Sequence, residues 1–250
     1  MRLAALYDIH SNLPALEAVL REVRETGVDE IVVGGDVLPG PMPAETLDRL
    51  LSLDIPTHFI TGNCEMDVLD IVAGKETATL PERFRPGFEW VARQLRPNHI
   101  EAIESWPKTI VARIDGYGDV LFCHGTPRHP NEIFTRATSE ESLLPVFSGL
   151  GVKAVVCGHS HMQFDRMVGD VRVTNAGSVG MPFGEPGAHW LLFGPEPELR
   201  RTSYDLDGAE EEVRRSGHPE ASDFAARYVL NPPSEAEMLK LYAEYELREG

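Results

Sequence analysis

Short apolar runs alternate with amphipathic stretches along the first quarter of the chain. Residues 3–7, 30–33 and 58–60 are apolar runs of strand length. Between them, residues 12–26 repeat apolar side chains at helical spacing, and residues 44–53 predict a second helix. The order strand, helix, strand, helix, strand predicts an α/β fold whose strands are buried on both faces.

The middle of the chain changes character. Residues 65–106 are helical in pattern and less apolar, and Pro81, Pro86 and Pro97 divide them, so we expect a helical insertion lying over the active face. Strand character then returns in many short runs, which predict hairpins and a second, largely antiparallel sheet. These runs cover residues 109–114, 120–123, 154–157, 164–168, 171–174, 190–193 and 199–204.

The last segment, residues 207–250, is acidic and helical in pattern. Ser234 and Glu237 have the spacing of a capping box at the start of a helix. That helix carries an apolar stripe, and we expect the stripe to pack on the body of the protein. A contact between copies in a homo-oligomer, or a docking site, is the alternative. The stripe contains Met238, Leu241, Tyr242 and Tyr245.

Composition narrows the class of protein. A chain of 250 residues with 42% apolar and 25% charged residues is typical of a single soluble domain, here residues 1–250. Asp and Glu outnumber Lys and Arg by 40 to 23, a net charge of -17, so we expect no binding to duplex nucleic acid. Neither a signal peptide nor a membrane span is recognisable, which predicts a cytoplasmic protein. Three cysteines, two of them in apolar runs, argue against a disulfide framework.

Five of the apolar runs end in residues able to bind a metal ion. The runs continue into Asp8-Ile9-His10, Gly34-Gly35-Asp36, Gly62-Asn63, His124-Gly125 and Gly158-His159-Ser160-His161. Open α/β sheets bind ligands beyond the carboxyl ends of their strands, so these side chains are expected to meet there. Imidazole, carboxylate and carboxamide donors without thiolate suit divalent manganese, iron, zinc, cobalt or nickel. The sequence thus predicts a site for divalent metal ions.

The order Asp-x-His, Gly-Asp, Gly-Asn, His, Gly-His-x-His resembles the calcineurin-like metallophosphoesterase superfamily. The resemblance implies a four-layer αββα sandwich, in which two mixed β-sheets are flanked by helices. It also implies two divalent metal ions: Asp8, His10, Asp36 and His161 would bind one, and Asp36, Asn63, His124 and His159 the other. Asp36 would bridge them, and Asp36, Asn63 and His124 would act in catalysis. Two such ions could activate hydroxide for direct attack on phosphorus.

One position departs from the family pattern. Many members have a histidine after Gly-Asn, whereas this chain has Gly62-Asn63-Cys64-Glu65, a version that resembles the small prokaryotic phosphodiesterases. A thiol is a weaker match to a general acid at neutral pH than an imidazole, so Cys64 is either a packing residue or a substrate contact. Asn63, Arg128 and His129 are the other candidate substrate contacts, although Arg128 and His129 could equally form an ordinary solvated loop.

The resulting prediction is a metal-dependent hydrolase of small phosphodiesters, with phosphomonoesters as further candidate substrates. A dinucleoside polyphosphate or nucleotide phosphatase would use the same residues and stays open as the alternative. A non-catalytic scaffold that binds other proteins is the third interpretation. Such a scaffold would be expected to lose metal ligands, and this chain has the full set.

Overall fold

Two five-stranded sheets lie face to face in the computed structural model, which describes residues 1–77 and 80–248. The first sheet has the spatial order β10 (Pro197–Thr202), β9 (Ala188–Phe193), β1 (Leu3–Leu6), β2 (Glu30–Val33) and β3 (Thr57–Phe59). The second has the order β4 (Thr109–Ile114), β5 (Gly118–Cys123), β6 (Ala154–Cys157), β8 (Val171–Asn175) and β7 (Phe164–Val168).

Helices cover both outer faces. Those before β4 are α1 (Leu13–Thr26), α2 (Pro43–Leu51), α3 (Asn63–Val72), α4 (Arg85–Gln94) and α5 (Pro97–Glu104). Those after β5 are α6 (Glu140–Phe147), α7 (Leu206–Arg215), α8 (Ala221–Phe224) and α9 (Glu235–Tyr242). A 3₁₀ turn at Glu82–Phe84 precedes α4, and a π-helical segment at Ala225–Leu230 follows α8.

The apolar side chains of β1 alternate between two hydrophobic cores that hold the layers together. Leu3 and Ala5 face the core between the two sheets, where they meet Phe122 of β5. Ala4 and Leu6 face the opposite way, into the core beneath α1. Because successive side chains of a strand point to opposite faces, a fully apolar strand such as this one must be covered on both. The predicted four-layer αββα sandwich of two mixed sheets is confirmed.

The prediction of a largely antiparallel second sheet was wrong. In that sheet β5, β6 and β8 are parallel, and only the outer pairs β4–β5 and β7–β8 are antiparallel. Moreover, β9 and β10 belong to the first sheet, where β9 pairs antiparallel with β1. A hairpin pattern fixes which strands are consecutive neighbours, but it carries no information on which sheet edge the hairpin joins.

The helical segments follow the predicted pattern. Pro86 and Pro97 lie in the first turns of α4 and α5, where the missing N–H of proline leaves no donor unpaired. The capping box of Ser234 and Glu237 forms at the start of α9. The apolar stripe of α9 packs only in part, since the Tyr242 ring lies 6.2 Å from that of Phe183, whereas Leu241 and Tyr245 are exposed.

Four further predictions have different outcomes. The interpretation of residues 1–250 as a single domain stays a prediction, as does the possibility of a homo-oligomer. The cysteines Cys64, Cys123 and Cys157 are free thiols, as predicted. Within the described residues, no helix combines the length and the apolar character needed to cross a membrane.

Candidate metal centre

The carboxyl ends of five strands meet at one edge of the sandwich. β1, β2 and β3 are parallel to one another, and so are β5 and β6, so their ends lie at the same side of each sheet. Each end delivers polar side chains: Asp8 and His10 after β1, Asp36 after β2, Asn63 after β3, His124 after β5, and His159 and His161 after β6. All seven predicted metal ligands are therefore brought to this edge.

Asp8, His10 and His161 form a first cluster, with one ligand atom from each lying within 4.8 Å of the others. His161 Nε2 lies 3.3 Å from Asp8 Oδ1 and 3.2 Å from His10 Nε2. All three residues are buried.

Asp36, His124 and His159 form a second cluster of the same size. His124 Nε2 lies 3.4 Å from Asp36 Oδ2. The two clusters adjoin, because His10 Nε2 is 3.9 Å from Asp36 Oδ2 and His124 Nε2 is 3.8 Å from Asp8 Oδ1. Asp36 thus stands between the clusters, where the bridging ligand was predicted.

The backbone is held in an uncommon conformation at most of these positions. Asp8, His10, Asp36, His159 and His161 all have φ between 45° and 65°. Non-glycine residues rarely adopt positive φ, and each such residue costs on the order of 1–3 kcal/mol. The surrounding fold therefore imposes these conformations, which aim the five side chains at one another.

Close packing of the backbone around the clusters explains two of the glycines. A Cβ atom on Gly62 would lie 2.1 Å from Asp36 Oδ1, and one on Gly35 would lie 2.8 Å from His124 Nδ1. Gly35 also has φ 88°. Any other residue at these two positions would push the candidate ligands apart.

Backbone groups orient the candidate ligands. His124 Nδ1 donates to the Gly34 carbonyl at 2.9 Å and His161 Nδ1 donates to the Met181 carbonyl at 2.7 Å. Since a carbonyl only accepts, each ring carries a proton on Nδ1, and its Nε2 faces the cluster. Asp8 Oδ2 accepts from the backbone N–H of His159 at 2.8 Å.

The charges of the two clusters are strongly coupled. Burial disfavours the charged form of Asp36, but the neighbouring His124 outweighs burial and holds the pKa of Asp36 well below its ordinary value. Burial likewise opposes protonation of His124, and Asp36 overcomes it, raising the pKa of His124 to about 10. Burial and the positive neighbours lower the pKa values of His10 and His159 to about 4. Asp36 is therefore charged and His10 and His159 are neutral at pH 7, which are the forms in which these side chains bind a metal ion.

Several polar atoms at the centre have no hydrogen-bond partner among residues 1–77 and 80–248. They are Asp8 Oδ1, His10 Nδ1, Asn63 Oδ1 and His124 Nε2, and all four are buried. Leaving a buried polar group unpaired costs about 1–3 kcal/mol. A bound cation would satisfy Asp8 Oδ1, Asn63 Oδ1 and His124 Nε2, whereas His10 faces the cluster through Nε2 and its Nδ1 would stay unpaired.

Sequence analysis missed Glu65 as a residue of the site. Its buried carboxylate accepts three backbone N–H groups: those of Asp36 and Gly62, each at 2.8 Å, and that of Leu38 at 3.0 Å. Burial and then Asp36 raise the pKa of Glu65 to about 7, while the backbone donors act against them. Glu65 joins the loop after β2 to the loop after β3. Its spacing of three residues from Gly62 is that of a capping box, a signal that could have identified it.

The predicted substrate contacts lie in different surroundings. Cys64 lines a cleft next to Asn63, and its backbone N–H donates to Asp36 Oδ1 at 3.0 Å. Arg128 is held by Glu132 through Nε at 3.1 Å and Nη2 at 2.5 Å. The Nδ1 atom of His129 accepts from the backbone of Asn131. The structure thus brings Cys64 to the site and shows Arg128 in an ion pair.

Two further residues, Asn12 and Asn175, act as scaffolding. Asn12 caps α1, its Oδ1 accepting from the backbone of Ala15, and Asn175 donates to the Gly158 carbonyl at 2.6 Å.

The family profile of the calcineurin-like phosphoesterase superfamily domain matches residues 1–194, which include both clusters. The chain belongs to this superfamily. The match covers more than three quarters of the chain, and the helical tail lies beyond it.

Relatives of this phosphoesterase chain agree with the assignment. It is 28% identical over 244 residues to the uncharacterized protein MJ0912 of Methanocaldococcus jannaschii, with 87% of this chain and 94% of that protein covered. It is 23% identical over 202 residues to the phosphodiesterase YfcE of Escherichia coli, with 77% and 87% covered. The crystal structure of a metallophosphoesterase from Sphaerobacter thermophilus superimposes with a TM-score of 0.74 at 25% identity, covering 93% of this chain and 99% of that one.

Proposed function

We propose that this phosphoesterase-superfamily protein is a metal-dependent hydrolase of small phosphodiesters, with phosphomonoesters as further candidate substrates. The observation that carries the proposal is the pair of adjoining carboxylate and imidazole clusters with unpaired buried atoms. The likeness to the phosphodiesterase YfcE supports the preference for diesters.

Seven side chains would hold two divalent ions, with manganese the first to be tested. When bound, such ions supply Lewis acidity, lowering the pKa of water and offsetting the charge of phosphate oxygens. The ligands are Asp8, His10 and His161 for one ion, Asn63, His124 and His159 for the other, and Asp36 for both.

The remaining groups hold these ligands in place. The carbonyls of Gly34 and Met181 fix the rings of His124 and His161, and Glu65 fixes the backbone of Asp36. Fixed ligands keep the reacting groups aligned without reorganisation during the reaction.

The test combines metal content with hydrolysis. We expect protein stripped by a chelator and then dialysed against manganese to retain two ions per chain, measured by elemental analysis, and to hydrolyse bis-p-nitrophenyl phosphate. His124→Gln should lower both, whereas His58→Gln, at a half-exposed histidine of β3, should change neither. A protein that holds two ions and is inactive on a wide panel of phosphoesters would refute the hydrolase and favour the scaffold.

A nucleotide phosphatase is the second candidate, and one observation favours it. A cleft with aromatic walls opens directly from His10 and Asn63. Polyphosphate substrates are less favoured, because the described lining of that cleft contains acidic side chains and neither Lys nor Arg. We also propose that the net charge of -17 keeps duplex nucleic acid away from the site.

A further inference from the structure

The cleft beside the candidate metal centre has a volume of about 340 Å³, in the range of small-molecule sites. Its lining includes His10 and Asn63 of the candidate metal centre together with His218, Glu220 and Tyr228 of the helical tail. A phosphoester bound at the metal centre would therefore extend its organic group into this cleft.

The walls of the cleft favour a planar, uncharged group. Phe84, Phe88 and Phe224 line it, and Phe84 keeps 40% of its surface exposed. Aromatic side chains bind flat ring systems through large contact areas. Since the described lining offers Glu220 and Asp67 but no Lys or Arg, a second phosphate would be repelled.

The part of the cleft that the helical tail forms carries a hydrogen-bond donor, His218, beside an acceptor, Glu220. His218 Nδ1 accepts from the backbone N–H of Glu220 at 3.1 Å, so the neutral ring bears its proton on Nε2. Burial lowers the pKa of His218 to about 4, which keeps the ring neutral at pH 7. The edge-on contact with Trp90, 5.1 Å between ring centroids, fixes the orientation of the ring.

The acceptor is the carboxylate of Glu220, whose side chain makes no hydrogen bond to any residue in the described part of the chain. His218 Nε2 and Glu220 Oε2 both lie next to Gly87 in the wall of the cleft. A Cβ atom on Gly87 would lie 3.4 Å from His218 Nε2 and 3.3 Å from Glu220 Oε2. These two groups are therefore available as a pair to a ligand edge that offers an acceptor next to an N–H donor.

We propose that this cleft binds the nucleobase of a nucleoside phosphoester, with the base against the phenylalanine rings and its polar edge paired with His218 and Glu220. The inference rests on the proposed function for the position of the phosphate. Nucleobases combine a flat π-face with donors and acceptors side by side on one edge, and enzymes read them by stacking together with hydrogen bonds to that edge. His218, Glu220 and Gly87 would thus be specificity-determining residues.

Nucleoside binding to metal-free protein tests the cleft without the metal centre. Inosine offers an N–H donor next to a carbonyl acceptor, and purine riboside lacks both the N–H and the carbonyl. We expect calorimetry to show inosine binding at least about tenfold more tightly, the effect of a hydrogen bond to a charged group. Glu220→Met should reduce the difference by about tenfold, because only the contact of His218 with the carbonyl then remains, and Glu211→Met, at an exposed residue of α7, should preserve the full difference.

Gly87→Ala separates binding from folding. The added methyl group would contact His218 and push Glu220 Oε2 back by a few tenths of an ångström while removing neither group, so inosine affinity should fall about fivefold or more. Alanine is a better helix former than glycine by about 0.5–1 kcal/mol, so the variant should unfold no more easily than the wild type. Loss of affinity in a protein of unreduced stability supports the base site.

The outcomes for the cleft and for the hydrolase are distinct. Equal affinity for inosine and purine riboside, or discrimination that is unchanged in Glu220→Met, would overturn the base site even in an active diesterase. Discriminating nucleoside binding in a metal-loaded protein that hydrolyses no phosphoester would support the base site and refute the proposed hydrolase.

Discussion

Replacing Glu65 by Gln tests how the centre is held together. The carboxylate accepts backbone N–H groups of Asp36, Gly62 and Leu38, and no water reaches it because it is fully buried. If the amide oxygen of Gln takes the place of Oε2, the bonds to Asp36 and Gly62 remain. The amide nitrogen then faces the N–H of Leu38, and that buried donor loses its partner.

The magnitude follows from the loss of one charge-assisted bond. Such bonds contribute about 1.5–3 kcal/mol, but the neutral amide recovers part of the cost of burial that raises the pKa of Glu65, so Glu65→Gln should lower the free energy of unfolding by no more than about 2 kcal/mol. Glu65→Ala would leave three buried donors unpaired and cost on the order of 5 kcal/mol, a large part of the total stability of a typical domain. The Gln variant is therefore the informative one.

Urea denaturation at pH 8 is the assay, since the raised pKa of about 7 leaves the Glu65 carboxylate mostly charged there. Metal content is measured on the same samples, because Glu65 fixes the backbone of Asp36. Glu25→Gln, at an exposed position of α1, is the control and should stay within about 0.5 kcal/mol of the wild type. A Glu65→Gln protein as stable as that control, with full metal content, would show that Glu65 does not position the centre.

Three other predictions concern the centre and the cleft. Asp36→Asn should lower metal retention and diester hydrolysis by at least about 100-fold, and retention of two ions per chain would exclude the bridging role. Cys64→His should speed hydrolysis of esters with poor leaving groups about tenfold or more and leave p-nitrophenyl esters little changed. Burial and Asp36 raise the pKa of the Cys64 thiol, so the thiol is a poor general acid. No gain with poor leaving groups would count against a missing general acid. Lowering the pH from 7 to 5 should lower the free energy of unfolding by up to about 2 kcal/mol through His218, because His218 binds a proton near pH 6.5 in the unfolded chain and only near pH 4 in the folded one. His218→Asn should reduce that loss in urea titrations. An unchanged loss in this variant would contradict the role of His218.

The strand ends could be predicted from sequence because the signal is local. Each candidate ligand lies within a few residues of an apolar run, and the parallel order of β1, β2 and β3 brings the ends together. The position of β9 and β10 could not be predicted in the same way, since β9 pairs with β1 across more than 180 positions of the chain and β10 joins the sheet through β9. No local pattern distinguishes the two possible sheets.

The cleft was beyond sequence reasoning for a similar reason. Gly87 lies in the helical insertion, whereas His218 and Glu220 lie in the tail, and only the tertiary fold brings the two segments into contact. Each segment alone has the pattern of an ordinary amphipathic helix or turn. The two predicted accessories, the insertion and the tail, together form the wall that is proposed to select the substrate.

At this site, hydrogen bonding distinguishes several candidate ligands from the residues that support them, without reference to the superfamily. The side chains of Glu65 and Asn175 form hydrogen bonds within the protein, and Arg128 forms an ion pair with Glu132. By contrast, Asp8, His10, Asn63 and His124 each keep a buried atom unpaired, although folding normally eliminates such atoms. Asp8, Asn63 and His124 are thus indicated both by the sequence motif and by an unpaired buried atom, whereas the unpaired atoms of Thr46, Thr77, His189, Arg200 and Tyr204 lie on residues outside the motif. The ion pair of Arg128 also predicts that Arg128→Gln will change the KM for diesters less than twofold in steady-state kinetics, and a rise of tenfold would place that guanidinium on the substrate after all.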